Sequence, residues 1–202
     1  YARLRARDSY LRAPLVVNPQ GMEEHKTRGL KRLALARLRA LSREAARRAD
    51  RVVATDEATR DEVPLLLGVD PAKVVVLPNG VDPDEIARLT PADPRRVIED
   101  AWPALRGASP ILLAVGRLEP YKGVGDVLGA SLRLAESGRL PASWALVVVG
   151  AGDVDRSVAA PLSGHVHFAG RVDDGLLHAL YAAADVFVHA TRYEGSSLVT
   201  LE

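Results

Sequence analysis

Seven short apolar runs, separated by helix-length stretches, constrain this chain more than any other feature. They are Leu15-Val-Val17, Arg51-Val-Val-Ala54, Lys73-Val-Val-Val-Leu77, Ile111-Leu-Leu-Ala-Val115, Trp144-Ala-Leu-Val-Val-Val149, Val166-His-Phe-Ala169 and Asp185-Val-Phe-Val-His189. Most are continuous in Val, Leu, Ile and Ala, which marks strands buried on both faces. Strands of that kind belong to parallel sheets, and parallel neighbours need a long crossover, usually a helix. The expected class is therefore α/β, with helices covering both faces of parallel sheets.

The runs fall into two series, 14–80 and 109–202, separated by a stretch that holds Pro83, Pro91, Pro94, Pro103 and Gly107. The expected organisation is a domain over 1–82, a linker over 83–108 and a second domain over 109–202, each Rossmann-like and facing the other across a cleft. Capping residues and apolar spacing predict helices at 23–49, 55–67, 84–89, 94–101, 124–137, 155–162 and 173–183, with a kink or break at Pro64. In the first, Leu30, Leu33, Ala34, Leu38, Leu41 and Ala45 share one face, while Lys31, Arg32, Arg39, Arg43 and Arg47 lie mostly away from it. The basic face suits peripheral contact with anionic lipid. A solvated face in an arginine-biased chain explains it more simply, and that reading is favoured.

Composition removes several classes. The chain has no cysteine, which excludes disulfides, thiol catalysis and Cys-based zinc sites. Its net charge of +1 gives no case for nucleic acid as a partner. No H-E-x-x-H, Walker A or G-x-G-x-x-G occurs, so a zincin, P-loop or simple dinucleotide site is not supported. No apolar run approaches the roughly 20 residues that span a bilayer. The expected location is cytoplasmic, with helix 23–49 able to touch the inner face of the membrane. The chain starts at Tyr1 and stops at Glu202 in mid-pattern, so an internal piece of a longer protein is expected, with both domains incomplete.

Ligands of open α/β sheets bind off the carboxyl ends of the strands, where Gly21, Asn79-Gly80, Gly116-Arg117, Gly150, Arg171 and Glu194 stand. Arg117 and Lys122 flank one strand-to-helix loop. Two fixed cations there suit a diphosphate, with the guanidinium bidentate and the ammonium a point charge; two ordinary surface cations would look the same. Glu194 and Glu202 are eight positions apart, with Gly195-Ser196-Ser197 after the first. A small-residue turn at a helix start leaves backbone N–H groups to receive an anion, and carboxylates accept sugar hydroxyls. Acids also favour helix starts without any ligand.

Taken together, Asn79-Gly-Val-Asp82, Val115-Gly-Arg-Leu-Glu-Pro-Tyr-Lys-Gly123, Val149-Gly-Ala-Gly-Asp153, Val166-His-Phe-Ala-Gly170, Ala183-Ala-Asp-Val-Phe-Val188 and Glu194-Gly-Ser-Ser-Leu-Val-Thr-Leu-Glu202 resemble glycosyltransferase family 4. The resemblance is dense over the linker and the C-terminal half and looser over 14–82. It implies the GT-B fold and a retaining transferase. Such an enzyme takes a nucleotide-diphosphate sugar as co-substrate and needs no metal or other cofactor. Arg117 and Lys122 match the cationic pair on the donor diphosphate. Glu194 matches the glutamate at the donor sugar and Glu202 the one that holds the ribose. The amides of Gly195, Ser196, Ser197 and Leu198 would line phosphate and sugar, Gly116 would join the donor loop, and Arg171 and Val172 follow the strand where the nucleobase sits. Gly21 and Asn79 would face the cleft from the N-terminal domain. The acceptor is a carbohydrate, a lipid or a small molecule. Three stretches depart from the family pattern: Gly-Ser-Ser follows Glu194 in place of Gly-Phe-Gly, His189-Ala-Thr191 replaces Pro-Ser, and Asn18-Pro-Gln-Gly21 stands where many members carry His-Gly. A non-catalytic nucleotide-sugar-binding protein and a sugar phosphorylase or epimerase on the same fold remain as alternatives.

Overall fold

The computed structural model describes residues 13–19, 22, 25, 29–192, 194 and 196–202. Two compact units divide the chain: one extends to Asn79 and takes in Glu194–Ser197, and the other is Gly80–Tyr193 with Leu198–Glu202.

In the first unit, β1 (Val16–Val17), β2 (Arg51–Ala54) and β3 (Val74–Val76) pair in parallel in that order. In the second, β4 (Ile111–Val115), β5 (Ala145–Val149), β6 (Val166–Gly170) and β7 (Val186–Phe187) form a parallel sheet ordered β6-β5-β4-β7. The class is α/β, as the apolar runs predict. Strand β5 shows why its sequence does not alternate. Leu146 and Val148 join one core, while Ala145, Val147 and Val149 join the other, so every residue of the strand is buried. The first core is closed by α6 (Val124–Glu136) and the second by α7 (Asp174–Ala183).

The proline-rich stretch is structured. Residues 83–108 contain α4 (Pro83–Leu89), α5 (Pro94–Ala101) and the 3-10 turn Pro103–Leu105, each with proline at its first position. Proline is favoured there because its missing N–H has no helical partner anyway. Ile98 and Leu105 are fully buried in the second unit's core, so this stretch contributes packing as well as connection.

The helix expected over 23–49 is divided among the described residues into α1 (Leu30–Ala34) and α2 (Ala36–Arg48), with a break at Leu35. Its expected apolar face is turned outward: Leu30, Leu33, Leu38 and Leu41 are 85%, 73%, 49% and 41% exposed. The inward stripe is Leu35, Arg39, Ser42, Ala46 and Ala49, a regular helical spacing whose last three residues are small enough to let the chain approach the sheet closely. Part of the basic face has a structural task. Arg43 Nε donates to Leu66 O at 2.9 Å and Arg47 Nε to Gly68 O at 3.4 Å. These cations serve the C-terminal carbonyls of α3 (Glu57–Leu67), where the helix dipole is negative. Pro64 neither ends nor divides α3. Asp56 caps its start by accepting from Thr59 N at 2.8 Å, Gly68 closes it in the left-handed conformation, and buried Val63 and Leu67 anchor it.

One device occurs in both units. Asp50, just before β2, accepts from Leu15 N at 2.7 Å and returns its own N–H to Leu15 O at 2.8 Å. Asp185, just before β7, accepts from Ile111 N at 2.7 Å and returns its N–H to Ile111 O at 2.8 Å. Each aspartate closes the starting end of a neighbouring strand. In urea unfolding of the full-length protein, Asp185→Ala is expected to lower stability by about 1–3 kcal/mol, because the N–H of buried Ile111 loses its acceptor. Asp185→Asn, which keeps an acceptor oxygen, is expected to lose less.

Candidate functional site

Strand β4 is the first of its sheet in the chain, with β5 and β6 on one side and β7 on the other. The carboxyl ends of β4 and β7 therefore border a topological switch point, the place where open α/β sheets take ligands. The loops above it touch through backbone. A Cβ on Gly150 would lie 1.8 Å from Gly116 O, one on Gly152 would lie 2.6 Å from Leu118 O, and one on Gly123 would lie 2.0 Å from Ala190 O. Gly116 N donates to Val149 O at 3.0 Å, Leu118 N to Ala151 O at 2.9 Å and Gly150 N to Gly170 O at 2.7 Å. The loops after β4, β5 and β6 thus form one hydrogen-bonded rim. The loop after β7 joins it where Arg192 N donates to Tyr121 O at 2.8 Å.

Two cations stand on the loop after β4. Arg117 Nη1 meets Glu119 Oε1 at 3.1 Å, and Nη2 donates to the Tyr121 hydroxyl. The Arg117 guanidinium carbon is 5.7 Å from the centre of the Tyr121 ring, and Lys122 Nζ is 5.5 Å from the same centre. One aromatic ring therefore gathers both cations named from the sequence. Directly after them begins α6, whose N-cap Gly123 provides no side-chain cap. Uncapped N–H groups at a helix start favour an anion. Arg192 Nη2 reaches both oxygens of Asp126, at 3.2 and 2.9 Å, which ties the β7 loop to the first turn of α6.

The remaining candidates are distributed. Arg171 is exposed just past β6, whereas Val172 packs into the core beside α7. Asn79 N donates to Ser196 Oγ at 3.2 Å and Asn79 Nδ2 to Ser196 O at 2.8 Å, so two candidates distant in sequence meet within the first unit. Glu194 and Ser197 are half-buried in that unit. Leu198 opens the 3-10 turn Leu198–Thr200, where a longer helix start was expected. Gly21 and Gly195 lie outside the described residues. Glu202 lines a pocket of about 310 Å³ with Asp82, Asp174 and buried His178; Arg117 and Lys122 do not line it. Burial, and the Glu202 carboxylate beside it, hold the Tyr181 hydroxyl well above the ordinary tyrosine range. It stays protonated and donates to Val199 O at 3.3 Å. Sequence reasoning passed over Tyr121, Glu119, Arg192, Asp126 and Tyr181. Tyr121 had a local signal, since it separates two candidate cations in one loop. Tyr181 had none, because its partners come from a distant turn.

The profile described as Glycosyltransferase Family 4 matches residues 1–85, and that described as Glycosyl transferases group 1 matches residues 109–202. The chain belongs to glycosyltransferase family 4. It is 35% identical over 165 residues to a D-inositol 3-phosphate glycosyltransferase of Kineococcus radiotolerans, covering 76% of this chain and 37% of that protein. The chain spans less than half the length of this and similar curated relatives. Two solved structures share its fold. Anabaena HepE in complex with UDP-glucose has a TM-score of 0.67 at 21% identity over 96% of this chain and 51% of that one. The UDP-forming α,α-trehalose-phosphate synthase of Burkholderia xenovorans, in complex with glucose-6-phosphate, has a TM-score of 0.72 at 19% identity over 99% and 52%. The family 4 chain has the GT-B fold, with its parallel strands in two Rossmann-like parts.

The backbone contact at the switch point separates two glycines of one segment. Gly123→Ala would drive a methyl into the Ala190 carbonyl and is expected to cost about 2–4 kcal/mol in thermal or urea unfolding. Gly129, inside α6, has only the end of the Arg133 side chain nearby at 3.6 Å. Gly129→Ala is expected to be neutral or to stabilise by up to about 1 kcal/mol.

Proposed function

We propose that the protein containing this chain is a retaining glycosyltransferase that moves a sugar from a nucleotide-diphosphate donor to an acceptor hydroxyl, without a metal ion. The observation that carries this reading is the pair Arg117 and Lys122 gathered on Tyr121 at the switch point, beside the start of α6. That arrangement offers a bidentate guanidinium, an ammonium and helix N–H groups to one polyanion. Complexes of the fold relatives with UDP-glucose and with glucose-6-phosphate support a donor of the UDP-sugar class and a sugar acceptor. The inositol-phosphate transferases among the relatives add phosphorylated polyols to the acceptor panel.

In the proposed reaction the bond from the sugar anomeric carbon to the diphosphate oxygen breaks while the acceptor oxygen bonds the same face. The acceptor proton passes to the departing diphosphate oxygen. Negative charge grows on the diphosphate, so the fixed cations lower the barrier most. Arg117 and Lys122 hold that charge. Glu194 and the amides of Gly195, Ser196, Ser197 and Leu198 hold the donor sugar and phosphate, Glu202 holds the ribose, Gly116 joins the donor loop, and Arg171 and Val172 border the nucleobase side. Asn79, through its bonds to Ser196, steadies the Gly-Ser-Ser turn.

Calorimetric titration of the full-length protein with UDP, GDP and ADP tests this. One nucleotide is expected to bind, and Arg117→Ala, Lys122→Ala and Glu202→Ala are each expected to weaken it by roughly 1–3 kcal/mol, the size of a lost charged hydrogen bond. Unchanged binding in all three variants overturns the site assignment. Binding without transfer to any acceptor favours a binding protein, and turnover driven by inorganic phosphate favours a phosphorylase.

The exposed leucines of α1 and α2, interleaved with exposed Arg37, favour a peripheral contact with an anionic membrane surface. Co-sedimentation of the full-length protein with phosphatidylglycerol vesicles is expected, and Leu30→Ser with Leu33→Ser is expected to reduce it several-fold. Equal sedimentation of wild type and variant counts against the contact.

A further inference from the structure

The backbone at Tyr121 is held in place from several directions. Its backbone carbonyl accepts from Arg192 N at 2.8 Å and from Thr191 Oγ1 at 3.4 Å. Two residues on, Gly123 lies so close to Ala190 that a methyl would overlap its carbonyl. The Arg192–Asp126 contact, from Nη2 to both carboxylate oxygens, joins the same pair of loops at the start of α6. Lys122 is thus bracketed by two residues that cannot shift independently of the β7 loop.

On this fixed backbone the Tyr121 side chain touches both cations. Its hydroxyl takes Nη2 of Arg117, leaving Nη1 with Glu119. Its ring centre is within 6 Å of both the guanidinium and the ammonium, the range in which the ring quadrupole attracts a cation. An arginine and a lysine five residues apart in one loop would otherwise repel each other and sample many rotamers. An aromatic surface shared by both lowers that repulsion and selects rotamers that keep the charges side by side.

The geometry points to Tyr121 as a positioning residue that sets Arg117 beside Lys122 for a nucleoside diphosphate. This inference rests on Arg117 and Lys122 being the donor-diphosphate ligands, and it adds that their arrangement is imposed by a third side chain. The tyrosine acts through its hydroxyl on Arg117 and through its ring on both cations. Pre-set ligands spare the ordering cost that mobile side chains would incur on binding.

The test is a double-mutant cycle on the full-length protein, read by calorimetric titration with UDP, GDP and ADP. Tyr121→Phe keeps the ring and every backbone tie and removes only the hydroxyl. It is expected to weaken the tightest-binding nucleotide about three- to ten-fold, at an unchanged melting temperature. In an Arg117→Ala background the same change is expected to have no further effect, because the group it orients is gone. Tyr121→Leu is expected to lose more than Tyr121→Phe, and to retain part of that loss in Arg117→Ala through Lys122. A role in structure alone would give equal losses in both backgrounds, and that result overturns the proposal while leaving the donor site standing. So does undiminished binding by Tyr121→Phe and Tyr121→Leu when Arg117→Ala is impaired. If Arg117→Ala binds as wild type, the proposed role of Tyr121 fails because the group it orients is not a ligand; if Lys122→Ala and Glu202→Ala also bind as wild type, or no nucleotide binds to the folded protein, the donor-site reading itself fails and the role of Tyr121 falls with it.

Discussion

Backbone packed against backbone, with no side chain between, sets the geometry on which the rest of the second unit depends. The approach of Gly150 to the Gly116 carbonyl and of Gly152 to the Leu118 carbonyl leaves no room for even a methyl group. Those contacts fix how far the β4 loop rises above the sheet, and hence where Arg117 begins. The Gly123–Ala190 contact fixes where α6 begins. Interiors are close-packed and respond to volume changes of a single methylene, and these contacts have still less tolerance because the atoms that meet are backbone atoms, which cannot rotate away as a side chain can. The loops that carry the charges are therefore as rigidly placed as the strands beneath them.

The electrostatics of the rim follow from that rigidity. Arg117 and Lys122 are partly exposed and would have little preference for one arrangement on a mobile loop. Between a carboxylate at Glu119 and the phenol of Tyr121, the guanidinium has a defined direction. A second carboxylate, Asp126, meets Arg192 rather than the two candidate ligands. The positive charge aimed at the switch point is thus partitioned: some of it holds the loops together, and some is presented to solvent over the helix start.

Much of this was legible in the sequence, for identifiable reasons. The Val- and Leu-rich run of β5 could only be a strand buried on both sides, and the structure buries all five residues. Helix α5 matches its predicted range because Asp93 caps it and Pro94 starts it, two signals local to the chain. The inward face of α2 was misjudged because a wheel that follows leucine favours Leu38 and Leu41, whereas close approach to the sheet selected Ala46 and Ala49. The close fit of the Gly150-Ala-Gly152 turn had no local signal, since nothing in one strand-end glycine reveals that another loop's carbonyl lies against it. The bond between Asn79 and Ser196 joins positions 117 apart in the chain, beyond the reach of any local pattern. Arg171 and Val172 illustrate a finer limit: adjacent in sequence and named together, they face solvent and core respectively.

The aspartates before β2 and β7 have a consequence at the far end of their strands. A parallel strand that slips by one residue turns every side chain to the opposite face, and an edge strand as short as β7, with two paired residues, has few ladder bonds to resist it. Asp185 grips Ile111 by both a side-chain and a main-chain bond at the starting end. That grip acts as a phase lock: it determines which residue emerges at the opposite end and on which side of the sheet it does so. The residues delivered there, from Ala190 to Arg192, are the ones that fasten onto Tyr121 and Gly123. A carboxylate at the back of the sheet therefore sets the alignment of the cationic rim at its front, across the length of one strand and without touching it.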